Sequence, residues 1–454
     1  MKKNRSALLV AAAVVASGCA TSASADVTAP IAREAISDST IAPTTTTTTT
    51  STSTTTTTTT STIPVNASCS TNHFEPVEQE PQAQELAARI ETALAHPGFA
   101  GHDVSVSVWV DGWGEVATHR PDLRLLPASN QKILVAIGAN ETLDLESSLT
   151  TEIEYTGTDL IIRAGADPTL TFPKLMGAID GALGDVGDRI DRLVIDTSQF
   201  PQSPIAKGWL DWHVPQFAGP LSGLMFENNR WTQDEQLVAS PDRVNGERIV
   251  SFLAERDVEV GEVVVASKSD APPPGEAIAT VASVPIDSLV RTMLLHSDNQ
   301  HADLLMMELG RQATGTGTLD DGAQSVNDVL FETCGSLDGL IGDGSGLSRA
   351  NLRSARSFVE TLAALHNTPK GDLLRSQLPV GGVSGTLAGR FGGENAGRVQ
   401  AKTGTILNGR ALTGWASMVN GRDAIFSVIV NGEDGETGPA LGAIDALVRE
   451  ILAT

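Results

Sequence analysis

"LLPASNQKILVAIGANET", residues 125–142, places Ser129 three residues before Lys132 and sets that lysine at the head of an apolar run, Ile133 to Ile137. Burying an ammonium costs several kcal/mol unless it is paired or gives up its proton. A serine at a helix start and a lysine one turn later share a helix face. The pair has a chemical use. A serine hydroxyl is a poor nucleophile until a base removes its proton, and a lysine can be that base once desolvation and nearby cations lower its pKa. Alone, the spacing fits better a lysine that snorkels to the surface.

Two further stretches give the pair company. "LLHSDNQHADLLMMELG" (294–310) puts Ser297-Asp298-Asn299 at a predicted helix–helix junction. "RVQAKTGT" (398–405) puts Lys402-Thr403-Gly404 on a predicted strand just before a C-terminal hairpin. S-x-x-K, S-D-N and K-T-G, in that order, form the motif set of active-site serine penicillin-recognising enzymes. The flanks "DLRLLPASNQKIL", "DPTLT" (167–171), "DGSGLSRANL" (343–352) and "LPVGGVSGTLAGRF" (378–391) narrow the match. Over about residues 80–454 the chain resembles the class C low-molecular-mass, or type 4, penicillin-binding proteins. These are D-alanyl-D-alanine carboxypeptidases and endopeptidases.

The resemblance implies an α+β fold of the penicillin-recognising, β-lactamase-like kind: an antiparallel sheet flanked by helices, with an inserted α/β domain. It implies peptidoglycan stem peptides as substrates, β-lactams as covalent inhibitors, and no cofactor or metal. Ser129 would be the nucleophile and Lys132 its base. Ser297 would relay a proton to the leaving amine, and Asn299 would hold the substrate amide and Lys132. Lys402 and Thr403 would bind the terminal carboxylate, with the Lys402 charge also depressing Lys132. Gly404 would let the strand approach the substrate, and the N–H groups of Ser129 and Thr405 would form the oxyanion hole. Asp298, Asp343, Arg349 and Arg390 read as structural, and Trp209, Trp212 and His213 as packing of the insert. His296 and His301 flank S-D-N without any metal-binding pattern.

Hydrophobic periodicity gives the predicted frame. Residues 82–95 carry an apolar helical face, and 104–110 alternate as a strand before an Asp111-Gly112 turn. Residues 411–430 read as strand, Asn420-Gly421 turn, strand, followed by a helix within 437–452. These segments place the catalytic domain at 80–144 and 286–454. Residues 145–285 form the insert, with short strands, a helix at 241–256 and a boundary signalled by Pro272, Pro273 and Pro274. Well-known relatives carry a longer insert, so the resemblance implies loss of its smaller part.

The first 79 residues read as export and tether. Lys2, Lys3 and Arg5 precede the apolar run Ala7–Ala16, a signal peptide too short to anchor as a span. Two endings compete: Ala23-Ser24-Ala25 with cleavage after residue 25, or a lipobox ending at Gly18 that makes Cys19 a lipid anchor. Residues 26–79 form a linker whose Thr-rich part, 44–62, spans about 60 Å when extended at roughly 3.3 Å per residue. Export permits a disulfide between Cys69 and Cys334; one loop thiol and one small buried residue fit the same sequence. A net charge of −24 repels nucleic acid and anionic lipid, which leaves a Cys19 anchor as the only membrane contact expected.

Two rival functions share these residues. A class A β-lactamase on the same fold needs a Glu to activate the deacylating water, typically in E-x-x-x-N, and none lies between Asn299 and Lys402. A non-catalytic wall-binding module on a Thr stalk has no need to keep Ser129, Lys132 and Lys402 together.

Overall fold

The computed structural model describes residues 80–201, 203–229, 239–333 and 338–454, all within one compact unit, Val65–Thr454. The signal, Cys19, the Thr tract, Cys69 and Cys334 lie outside the described residues.

The described residues begin with α1 (Pro81–Leu94), then the hairpin β1 (Asp103–Val110) and β2 (Gly114–His119). A short 3-10 turn, Ala128–Asn130, leads into α2 (Gln131–Thr142). A second region follows: β3 (Ser148–Tyr155), β4 (Asp159–Arg163), α3 (Phe172–Ala182), β5 (Arg189–Asp196), α4 (Pro241–Ala254), β6 (Glu259–Ala266) and β7 (Glu276–Pro285). Helices α5 (Ile286–His296), α6 (Asn299–Thr314) and α7 (Leu319–Glu332) come next. A two-residue ladder, β8 (Gly339–Leu340) with β9 (Leu352–Arg353), brackets the Gly-rich loop. The chain ends with α8 (Ala355–Leu365), α9 (Pro369–Gln377), β10 (Val399–Ile406), β11 (Gly409–Ser417), β12 (Asp423–Asn431) and α10 (Ala440–Leu452).

The terminal segments build one antiparallel sheet, β10-β11-β12-β1-β2. β1 shows why it needs cover on both faces. Val104, Val106, Val108 and Val110 pack under α1 and α10, while Trp109 joins the opposite core with α2, α5 and α8. Ser105 and Ser107 on that second face are buried too, and their hydroxyls donate to Pro121 O and Glu115 Oε1. α2 is apolar nearly all round and sits against α5, α6 and α7 at the centre of the helical layer.

The second sheet, β6-β5-β4-β3-β7, draws all its strands from residues 148–285 and is mixed. β4, β5 and β6 run parallel, with α3 and α4 in the crossovers, and β3 is antiparallel to both neighbours. The three prolines do not end this sheet: β7 follows them and pairs with β3.

Candidate active site

Four separate segments converge on Ser129. The serine stands in the 3-10 turn before α2, behind Ala128, whose φ of +48° lies in the left-handed region. Lys132, one turn on, is completely buried. Its Nζ donates to Ser129 Oγ at 3.0 Å, to Asn299 Oδ1 at 2.8 Å and to the carbonyl of Ser345. Lys132 does not snorkel to the surface.

S-D-N occupies the joint between α5 and α6. Ser297 is left-handed at φ +57°, which turns the chain sharply and lets Asp298 cap α6 by accepting the His301 N–H at 2.9 Å. Asp298 is therefore structural as expected, and His301 Nδ1 lies 3.0 Å from its carboxylate. Asn299 spans the site: its Oδ1 accepts from Lys132 and its Nδ2 donates to Phe217 O at 3.0 Å.

K-T-G lies on β10, an edge strand. Lys402 is fully buried, and its Nζ donates to Ser297 Oγ and to Thr403 O, each at 2.9 Å. Thr403 Oγ1 donates to Thr386 Oγ1 at 2.8 Å. The N–H of Ala401 points away from β11, to Pro379 O at 3.0 Å. By strand alternation the N–H groups of Thr403 and Thr405 face the same open edge. The sequence assigns Gly404 an approach to substrate. The approach seen is to the nucleophile's own turn, because a Cβ there would stand 2.9 Å from Pro127 O and 3.2 Å from Ala128 Cβ.

The electrostatics separate the two lysines. Burial pushes Lys132 down to about 8, while Asp303, Asp343 and Asp298 pull the other way. Lys402 is held well below the ordinary lysine value by burial and then by the charge of Lys132. The sequence assigns Lys402 a part in depressing Lys132; burial is the first cause for both lysines, and the repulsion between the two ammoniums acts on the pair. Burial and the nearby Asp343 raise Asp303 well above the usual carboxylate range, against Lys132 and its Ser345 hydrogen bonds.

Sequence reasoning missed two supports. Asp303, on α6 one turn after Asn299, is buried and accepts the N–H groups of Gly344 and Ser345 at 2.9 Å. The i, i+4 spacing from Asn299 was the available signal. Trp209 does not simply pack the insert: its indole donates to Asp343 at 2.7 Å, and its ring joins Leu304, Met307 and Leu347. Arg349 bonds Asn408 and Arg390 pairs with Asp445, both holding loops in place.

The D-Ala-D-Ala carboxypeptidase 3 (S13) family model matches residues 86–245 and 232–450. The carboxypeptidase DacB of Mycolicibacterium smegmatis is 28% identical over 421 residues, covering 85% of this chain and 86% of that protein. A D-alanyl-D-alanine carboxypeptidase of an Actinomadura species is 35% identical over 185 residues, 39% of this chain and 34% of the relative. The crystal structure of penicillin binding protein 4 of Haemophilus influenzae shares the fold, with a TM-score of 0.69 at 20% identity, covering 79% of this chain and 97% of that one. With the matched regions spanning most of the folded chain, this protein belongs to the D-Ala-D-Ala carboxypeptidase 3 (S13) family.

Proposed function

We propose that this protein removes the terminal D-Ala from peptidoglycan stem peptides through an acyl-enzyme on Ser129. The observation that carries the reading is the buried contact of Lys132 Nζ with Ser129 Oγ at 3.0 Å, with Asn299 on the same nitrogen.

Neutral Lys132 takes the Ser129 proton as Oγ attacks the penultimate D-Ala carbonyl. The N–H groups of Ser129 and Thr405 hold the oxyanion; the Thr405 N–H faces the open edge of β10, as that role requires. Lys402 already spends two protons on Ser297 and Thr403 O, which leaves one for the substrate's carboxylate. The Thr403 hydroxyl supplies a second donor when its proton turns from Thr386 Oγ1 to the carboxylate. Ser297, bonded to Lys402, relays to the departing D-Ala amine the proton that Lys132 took from Ser129, so both end the step as they began it. A water then cleaves the ester, with the Lys132–Ser297 pair returning the protons. β-Lactams acylate Ser129 in the same way. The same machinery reaches a peptide cross-link where the acyl acceptor side is a neighbouring stem.

The domain division and the anchor complete the proposal. Residues 145–285 form an inserted domain between the catalytic halves 80–144 and 286–454, supported by a sheet of their own. The N-terminal segment exports the enzyme, and either cleavage after residue 25 or lipidation of Cys19 sets its release or anchoring.

The test is direct. A fluorescent penicillin should label the full chain, and a peptide ending in D-Ala-D-Ala should lose one D-Ala by mass spectrometry. Ser129→Ala should abolish both. Label or D-Ala release that survives in this variant means the nucleophile lies elsewhere.

A further inference from the structure

The amine of Lys132 has a geometric problem to solve. As a base, it must point its lone pair at Ser129. A neutral amine has two N–H bonds, one bond to Cε and one lone pair. If the two N–H bonds are claimed by Asn299 Oδ1 and the Ser345 carbonyl, only the lone pair remains for Ser129 Oγ. The Ser345 carbonyl is therefore half of the aiming device.

That carbonyl belongs to the Ser345–Gly346 peptide unit. In a trans peptide the C=O and the following N–H point in opposite directions. The C=O faces Lys132, and the Gly346 N–H donates to Asp343 Oδ1 at 2.8 Å. A carboxylate on the N–H end polarises the peptide and makes its oxygen a stronger acceptor. The unit has little room to rotate: Gly346 sits at φ +87°, and a Cβ there would stand 2.0 Å from Ala128 O.

Asp343 is itself clamped. Its carboxylate accepts from the Ser345 hydroxyl, the N–H of Ser348, Asn351 Nδ2 and Trp209 Nε1, at 2.7 to 3.0 Å. Trp209 comes from another part of the chain, and its segment docks closely on the loop. Ser348 Oγ donates to Lys207 O, and the Arg349 N–H donates to Gly208 O at 2.9 Å.

We propose that Asp343 is a positioning residue for Lys132, acting through the Ser345–Gly346 peptide, and that the Trp209 indole holds Asp343 in place for that task. The proposal rests on Lys132 being the base for Ser129. Among the described residues, the titratable groups facing Lys132 are Asp298 at the N-cap of α6, Asp303 within it, Asp343 from the loop and Lys402 from β10. Of these, Asp343 alone touches the peptide whose carbonyl meets the lysine.

The test is the rate of acylation of the full chain by a fluorescent penicillin, measured against penicillin concentration and pH and normalised to labelled sites. Asp343→Asn should lower the limiting rate between about tenfold and a hundredfold, the range for a misaimed proton transfer. Its acid limb should move to lower pH, because the Asp343 charge raises Lys132. Trp209→Phe keeps the ring and the charge. It should lower the limiting rate by several-fold, leaving the limb and the half-saturating concentration where they were. A folded Asp343→Asn with an unmoved limb overturns the proposal, even if slower, because a merely structural role would do the same. So does Trp209→Phe with an unchanged limiting rate, or with a loss confined to half-saturation. Should Asp343→Asn fail to fold, Trp209→Phe decides alone. Failure of the wild type to label at Ser129 would instead sink the nucleophile assignment.

Discussion

Lys132 and Lys402 are both fully buried, yet their surroundings are built on opposite plans. Lys132, on the central helix, has the carboxylates of Asp303, Asp343 and Asp298 within electrostatic reach. Among the described residues, Lys402, on the edge strand, has hydroxyl and carbonyl partners only, and no carboxylate offsets its burial. The difference follows from the tasks. A base that must exchange a proton near neutral pH needs its desolvation partly offset, which leaves it at about 8 and not far lower. An anchor for a carboxylate works best when its counter-charge is missing, because the substrate then supplies it.

Exchanging the base for a residue that keeps charge but cannot lose it should produce the largest effect. Lys132→Arg should slow penicillin acylation by about a thousandfold or more, since general-base assistance contributes about 10² to 10⁴ and arginine stays protonated. Stopped-flow or gel labelling reads this. Acylation at the wild-type rate in that variant would remove Lys132 from the base role and collapse the contrast.

Removing the anchor should be milder and selective. Lys402→Ala should weaken kcat/KM for a peptide ending in free D-Ala by about ten- to a hundredfold, equivalent to roughly 1.5–3 kcal/mol for a lost charged hydrogen bond. The matching ester, which has no carboxylate, should lose far less. Equal losses on both would place Lys402 in the chemistry, not in recognition.

The parts that could be read from sequence are those set by local spacing. Ser129 and Lys132 lie one turn apart on any helix. The Ser297–Asn299 junction and the strand carrying Lys402 follow from hydrophobic periodicity and motif. The alternation in 104–110 correctly placed the valines on one face, although it left open that Ser105 and Ser107 would be buried on the other. The contacts that tune Lys132 were only partly readable. Asp303 and Asp343 reach it from elements far away in the chain; the spacing of Asp303 from Asn299 marks the first, and nothing local marks the second. Trp209 was read as packing because an indole in an apolar stretch usually is; its N–H partner lies in a loop that only the tertiary fold brings near. In the second sheet, the strands were visible but the return of β7 to β3 beyond the prolines was not, because proline marks a break in the chain and not the end of a sheet.

The smallest effect is also the most telling, because it concerns position and not size. If burial is the main cause that sets the base, the limb of acylation should lie well below the ordinary lysine value with or without the anchor. The measurement is the rate of penicillin acylation from pH 6 to 10, in the wild type and in Lys402→Ala. A lysine must be neutral to accept a proton, so below its pKa the rate should rise about tenfold per pH unit and level off above it. The expected limb lies near pH 8, where burial leaves Lys132, and should stay well below the ordinary lysine value when Lys402 is removed. A flat profile across this range, or a limb near the ordinary lysine value of 10.5, would contradict Lys132 as the desolvated base of Ser129.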